Sequence, residues 1–134
     1  DLVLCADDVT FAFTESRLGL APAIISLTVL PRLTSRAASD TFLSGRTFDA
    51  SEAATMGLVT RAVPADGLDD AVAAACADLL QAHPQGLVET KKLLSAPLLE
   101  RIDAQAEEMG RLSASLFASE GAKEAMTAFL DRKR

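Results

Sequence analysis

The chain has 134 residues, the length of one ordinary domain. Thirteen Lys and Arg against nineteen Asp and Glu leave a net charge of −6 and a pI near 4.7, so no chain-wide positive field exists to neutralise phosphates, and nucleic-acid binding is set aside. At 49% hydrophobic and 24% charged the chain can bury a core, and its aromatics, 4% and all Phe, favour helix over a β sandwich or barrel.

Residues 2–6 form a continuous apolar run closed by Asp7 and Asp8, the pattern of a strand buried on both faces. Thr10-Phe-Ala-Phe-Thr-Glu15 alternates, with Phe11 and Phe13 on one side and Thr10, Ala12 and Thr14 on the other, which predicts a second strand ending at Glu15. Pro22 suits the first turn of a helix reaching about residue 30. Residues 35–43 carry Ala37, Ala38, Thr41 and Phe42 at helical spacing, with Gly45 placed for a left-handed C-cap. Asp49-Ala-Ser-Glu52 fits a capping box opening a short helix that Gly57 can end, and residues 58–63 read as a strand stopped by Pro64.

Beyond Pro64 the period is helical. Leu68, Val72, Ala75, Cys76 and Leu79 make one stripe, and His83-Pro84 then breaks and restarts the chain. A short helix carries Leu87, Val88, Lys91 and Leu94. Pro97 is expected to open the longest helix, whose stripe is Leu98, Ile102, Ala106, Met109, Leu112 and Leu116. A last helix over residues 120–132 shows Ala122, Ala125, Met126 and Phe129 on one face and ends in basic residues that suit its dipole. The chain is therefore divided into an α/β front, residues 1–64, and a helical tail, residues 65–134. Two or three short strands cannot pair both edges of a parallel sheet, so the front is expected to take partners from upstream residues or another subunit. An opening directly on a strand, with no initiator Met, predicts a piece of a longer protein.

Few residues carry chemistry. Cys5 and Cys76 lie far apart in apolar surroundings without a second ligand at metal spacing, and are expected to be buried thiols with no metal site. His83 is alone, and the seven glycines are scattered singly, so no phosphate loop is present. The longest apolar run, residues 18–33, is interrupted by Gly19, Pro22, Pro31 and Arg32, short of the roughly 20 clean residues of a membrane span, and the chain reads as soluble. Asp7-Asp8, Asp69-Asp70 and Glu107-Glu108 read as solvated pairs. Glu15 differs: a carboxylate after an apolar strand and just before a turn into a helix can face a cleft at the strand's end, where α/β ligands bind, and take and return a proton there. The competing roles are an ion pair with Arg17 or Arg32, or an amide cap for the following helix. Arg132, Lys133 and Arg134 could hold phosphate groups or simply complement the helix dipole.

Three stretches together resemble the enoyl-CoA hydratase/isomerase (crotonase) superfamily. The first is Asp1-Leu-Val-Leu-Cys-Ala-Asp-Asp-Val-Thr-Phe-Ala-Phe-Thr-Glu15-Ser-Arg-Leu-Gly19-Leu-Ala-Pro22, similar to the family's run from an Asp-initiated strand through Phe to Glu, Leu-Gly and Pro. The second is Phe42-Leu-Ser-Gly45-Arg-Thr-Phe-Asp-Ala50-Ser-Glu-Ala53-Ala-Thr-Met-Gly57-Leu-Val59, and the third is Glu124-Ala-Met-Thr-Ala-Phe129-Leu-Asp-Arg132-Lys133. The resemblance covers the later portion of a family subunit. It implies the end of a spiral core of β-β-α turns over residues 1–64, followed over residues 65–134 by a helical region that builds homotrimers or dimers of trimers. It implies an acyl-CoA substrate held with its thioester carbonyl polarised by two backbone N–H groups, no cofactor beyond the coenzyme A of the substrate, and a cytoplasmic setting. Glu15 inherits the catalytic acid/base role; Phe129, Arg132 and Lys133 inherit a part in covering coenzyme A. Where the family commonly has Pro-Gly-Ala-Gly-Gly-Thr, this chain has Pro22-Ala-Ile-Ile-Ser-Leu-Thr28, which resembles the methylglutaconyl-CoA hydratase-like branch. Pro22, Ala23 and Ile24 are then expected at the acyl pocket, with branched acyl groups in view, and hydration or double-bond isomerisation as the reaction. The oxyanion donors and any second catalytic carboxylate are expected upstream. A catalytically silent assembly module is the non-enzyme alternative.

Overall fold

Four strands of three residues and six α-helices follow one another in the computed structural model, which describes residues 1–131. Strand β1 (Leu4–Ala6) pairs in parallel with β4 (Arg61–Val63), Cys5 opposite Ala62. Strand β2 (Thr10–Ala12) pairs antiparallel with β3 (Thr47–Asp49), Phe11 opposite Phe48. Each sheet thus has two strands, and the parallel pair is extended by Asp7 N–H donating to the Val63 carbonyl at 2.8 Å and Thr60 N–H to the Val3 carbonyl at 2.8 Å.

Between the strands lie α1 (Ala23–Val29), α2 (Ser35–Ser44) and α3 (Ala50–Thr55). Gly45 caps α2 in the left-handed conformation, as its position in the sequence predicts. The capping box forms in both directions: Glu52 N–H donates to Asp49 Oδ1 at 2.8 Å, and the Glu52 carboxylate accepts from the Asp49 backbone. β3 was not anticipated, because three residues are too few to show a period. It exists because Phe48, 2% exposed, packs under Phe11 and Phe13. Four of the six Phe are spent here: Phe13 and Phe42 meet edge-on at 4.6 Å, and Leu33, Ala53, Met56 and Val59 complete the core.

The tail comprises α4 (Leu68–Leu80), α5 (Pro84–Phe117) and α6 (Glu120–Asp131). Pro97 does not open a helix; it lies inside the 34-residue α5, so the two expected helices are one. A proline here removes one amide donor, but the turn around Leu93 is exposed, and water can take the freed carbonyl. The helix begins instead at Pro84, where His83 Nδ1 accepts from Gln85 N–H at 3.2 Å; His83 is a cap. Cys76 is exposed rather than buried, because the α4 stripe only partly covers β1 and leaves a groove of about 570 Å³ lined by Leu2, Val72, Ala75 and Leu79. Cys5 is half-buried, and both thiols are free. Ala106 and Leu112 of the α5 stripe are also exposed, while Leu98, Ile102, Met109 and Leu116 are half-buried. Among the described residues no helix is long and apolar enough to cross a membrane.

Arg46 ties the α2 end to α3. Its guanidinium donates to Asp40 Oδ2 and to both Glu52 oxygens, at 3.2 Å and 2.8 Å, and lies 6.0 Å from the Phe48 ring centre. The Glu52 bond holds Arg46 above its ordinary value, and the Arg46 bond in turn holds Glu52 below the usual carboxylate range. A carboxyl lowered in this way stabilises the fold above its unfolded value, and the contribution vanishes as pH falls through the folded one. Denaturant unfolding should therefore show a Glu52→Gln deficit that is constant above about pH 5 and shrinks on further acidification. A second check concerns Gly57, whose φ is +90° and where an added Cβ would lie 2.4 Å from the Arg32 carbonyl oxygen. Gly57→Ala should cost about 1–3 kcal/mol. Gly86→Ala, in the first turn of α5 with open space around it, should stabilise by about 0.4–1 kcal/mol, both read from melting temperatures.

Candidate active site

Glu15 does not end a strand. β2 stops at Ala12, and Glu15 opens a 3₁₀ turn, Glu15–Leu18, three residues further on. That turn is fastened on both sides. Arg17 Nε donates to the Ser44 carbonyl at 2.7 Å and Ser16 Oγ to the Leu43 carbonyl at 3.2 Å, using acceptors that the end of α2 leaves open. On the other side Gly19, at φ +70°, lies so close to α6 that a Cβ would sit 2.9 Å from the Gly121 carbonyl oxygen. Ala122, fully buried, completes this contact. A side chain at position 19 would push α6 and the turn apart.

With Arg17 held by Ser44, it is not the partner of Glu15, and no described ion pair includes Glu15 or Arg32. Nor does a side chain cap the first turn of α1. The Glu15 carboxylate instead keeps Oε2 buried with no hydrogen-bond partner. An unmatched buried acceptor is costly, and a group left so invites a ligand, a water or a proton as its missing partner.

Glu15 also lines a cavity of about 200 Å³, together with residues 20–25, Ser113 and Phe117. Pro22, Ala23 and Ile24, singled out from the sequence, are thus gathered beside Glu15, Ala23 buried and Ile24 exposed. Glu15 is the one titratable group among the described lining residues, and the walls are otherwise almost wholly apolar. Phe129 is on α6 and partly exposed, and is not among the residues lining this cavity. Arg132 and Lys133 lie outside the described residues. Ser113 and Phe117 were not anticipated. Ser113 interrupts the apolar stripe between Met109 and Leu116, and Phe117 is an aromatic at a helix end; neither signal specifies which helix face meets Glu15.

The chemistry available is limited and definite. A fixed carboxylate in an apolar recess can move a proton between two positions of a small organic ligand, or between that ligand and water. The larger groove between β1 and α4 has no comparable group facing apolar walls, its polar members being Asp1 and Cys76.

Sequence and structure comparisons identify relatives of the chain. The profile of the family described as enoyl-CoA hydratase/isomerase matches residues 1–134. A probable enoyl-CoA hydratase of Mycobacterium tuberculosis is 32% identical over 134 residues, covering 99% of this chain and 52% of that protein. A carnitinyl-CoA dehydratase of Citrobacter koseri is 31% identical over 97 residues, 72% of this chain and 37% of that one. The crystal structure of an enoyl-CoA hydratase from Mycobacterium avium superposes with a TM-score of 0.94 at 45% identity, covering 98% of this chain and 52% of that one. The chain spans about half the length of the curated relatives matched along its whole length. Matched by the profile from its first residue to its last, and sharing the crotonase-type fold over that span, the chain belongs to the enoyl-CoA hydratase/isomerase family.

Proposed function

We propose that the protein acts on acyl-CoA thioesters, adding water across a 2-enoyl thioester with Glu15 as general acid/base. The observation that carries this reading is the buried, unpartnered Oε2 of Glu15, a residue that lines an apolar cavity. Family membership and the similarity to proteins named enoyl-CoA hydratase support it. In the reaction, Glu15 removes a proton from water as its oxygen bonds to C3, the π electrons shift to C2 and the thioester oxygen, and Glu15 then returns that proton to C2, which regenerates the carboxylate. Negative charge on the thioester oxygen requires preorganised N–H donors, which we assign to the portion of the family subunit that this chain does not match. Pro22, Ala23 and Ile24 form the acyl side of the site, and branched acyl groups suit the bulk of Ile24. Phe129, Arg132 and Lys133 are assigned to covering coenzyme A, and no cofactor beyond it is invoked.

A single carboxylate in the cavity also favours a second reading, isomerisation, in which Glu15 carries a proton between C2 and C4. Exposed apolar residues along α5, including Val88, Leu93, Leu94 and Leu99, support self-association; the homotrimer or dimer of trimers and the cytoplasmic setting rest on the family resemblance alone.

In the full-length protein, Glu15→Gln should lower kcat by about two to four powers of ten, with a much smaller change in acyl-CoA affinity. The assay offers 2-enoyl-CoA for hydration and 3-enoyl-CoA for isomerisation, so turnover by the native protein separates the two reactions. Near-normal turnover in both would return Glu15 to a structural role. Arg17→Met, which removes the donor to Ser44 while keeping side-chain length, should lower kcat by up to about 100-fold at nearly constant KM, and Arg17→Lys should restore part of it. Equal loss in all steady-state parameters, tracking loss of folded protein, would deny Arg17 a positioning role.

A further inference from the structure

We propose that helix α5 supplies the wall that limits the acyl group at Glu15, with Phe117 as the size-determining side chain and short, compact acyl thioesters as the preferred substrates. This rests on the reading of the Glu15 cavity given above.

The cavity holds about 200 Å³, below the roughly 300 Å³ at which small-molecule sites begin, so only the acyl end of a thioester fits inside it. One side comes from the first turn of α1 and the residues before it, Ile24 among them. The opposite side comes from α5, through Ser113 and Phe117, which are four residues apart and share one helix face. That face is fixed. α1 and α5 pack along one another, and one turn before Ser113 the Met109 sulfur lies 4.0 Å from Ser26 Oγ of α1. The wall therefore cannot recede without unpacking the two helices.

Two features indicate that the wall faces a ligand. Ser115 and Ser119 fold back onto the carbonyls of Leu112 and Leu116, at 2.9 Å and 2.7 Å, whereas the Ser113 hydroxyl makes no hydrogen bond to the described residues. Phe117 is 57% exposed, outside the core that takes Phe11, Phe13, Phe42 and Phe48, and lines the cavity that Glu15 also lines. A large ring there, backed by a fixed helix, stops a straight chain that extends past Ile24 and leaves room for a short or branched one.

The test uses the full-length protein. kcat/KM is measured for 2-enoyl-CoA thioesters of four to ten carbons, and the affinity for saturated butanoyl-CoA and octanoyl-CoA by calorimetry. The native protein should prefer the four-carbon chain. Phe117→Ala should raise the eight-carbon to four-carbon ratio at least about tenfold in both measurements, the scale on which apolar pockets sense a methylene or more. Phe117→Trp should move the ratio the other way, and this second variant decides the matter if the first does not fold. Leu112→Ala, on the same helix and off the cavity, should leave the ratio unchanged. An unmoved ratio in the folded Phe117 variants, with Glu15→Gln still inactive, overturns the wall and leaves the catalytic reading standing. A shifted affinity ratio with an active Glu15→Gln variant does the reverse.

Discussion

The turn that bears the Glu15 carboxylate is tied to the end of α2 by the hydrogen bond from Arg17 Nε to the Ser44 carbonyl. Ser44 is itself fixed: its hydroxyl donates to the Asp40 carbonyl at 2.6 Å and accepts from Arg46 N–H at 3.1 Å. The Arg46 guanidinium in turn bridges Asp40 and Glu52, which joins α2 to α3. The relay consists of charge-assisted and backbone-directed bonds that satisfy a helix end, so the turn bearing the carboxylate is held by groups that would otherwise lack partners. Although the Arg46 pairs are exposed and individually weak, they are shared by one planar guanidinium that bridges the two helices.

The helical tail contributes to the site through its packing rather than through a core of its own. α5 has no fully buried residue, yet it lies along α1 and brings Ser113 and Phe117 opposite the Pro22–Ile25 segment. α6 reaches the same region from the other direction, through the backbone contact of Gly19 with Gly121 and the burial of Ala122. Small residues at this crossing let two main chains approach, and the 3₁₀ turn is thereby held between α2 and α6. The cavity is therefore lined by the Glu15 turn and the segment that leads from it into α1, and by α5 from far along the chain.

Local rules account for much of what could be read in advance. The capping box at Asp49 and Glu52, the left-handed C-cap at Gly45, and the start of α1 after Pro22 each depend on residues within one helical turn, and each formed as the residues specify. Pro97 shows the limit of such rules. Its local preference is to open a helix, and it was overridden because the surrounding turn is exposed and the propagation of a 34-residue helix outweighs one missing bond. Cys76 shows another: an apolar stripe gives the face of α4 but not whether anything lies over it.

The sequence by itself determined the family, the helical tail and most of the helices and strands of the front piece, since apolar spacing, caps and the family motif are local properties. Only the tertiary structure decided that Glu15 sits on a turn rather than a strand end and that Arg17 bonds Ser44 instead of Glu15. It alone decided, too, that α5 closes the cavity with Ser113 and Phe117. The reason is physical. Which face of a helix meets which neighbour is fixed by packing among segments up to about a hundred residues apart, and a carboxylate's partners are whatever that packing leaves within reach.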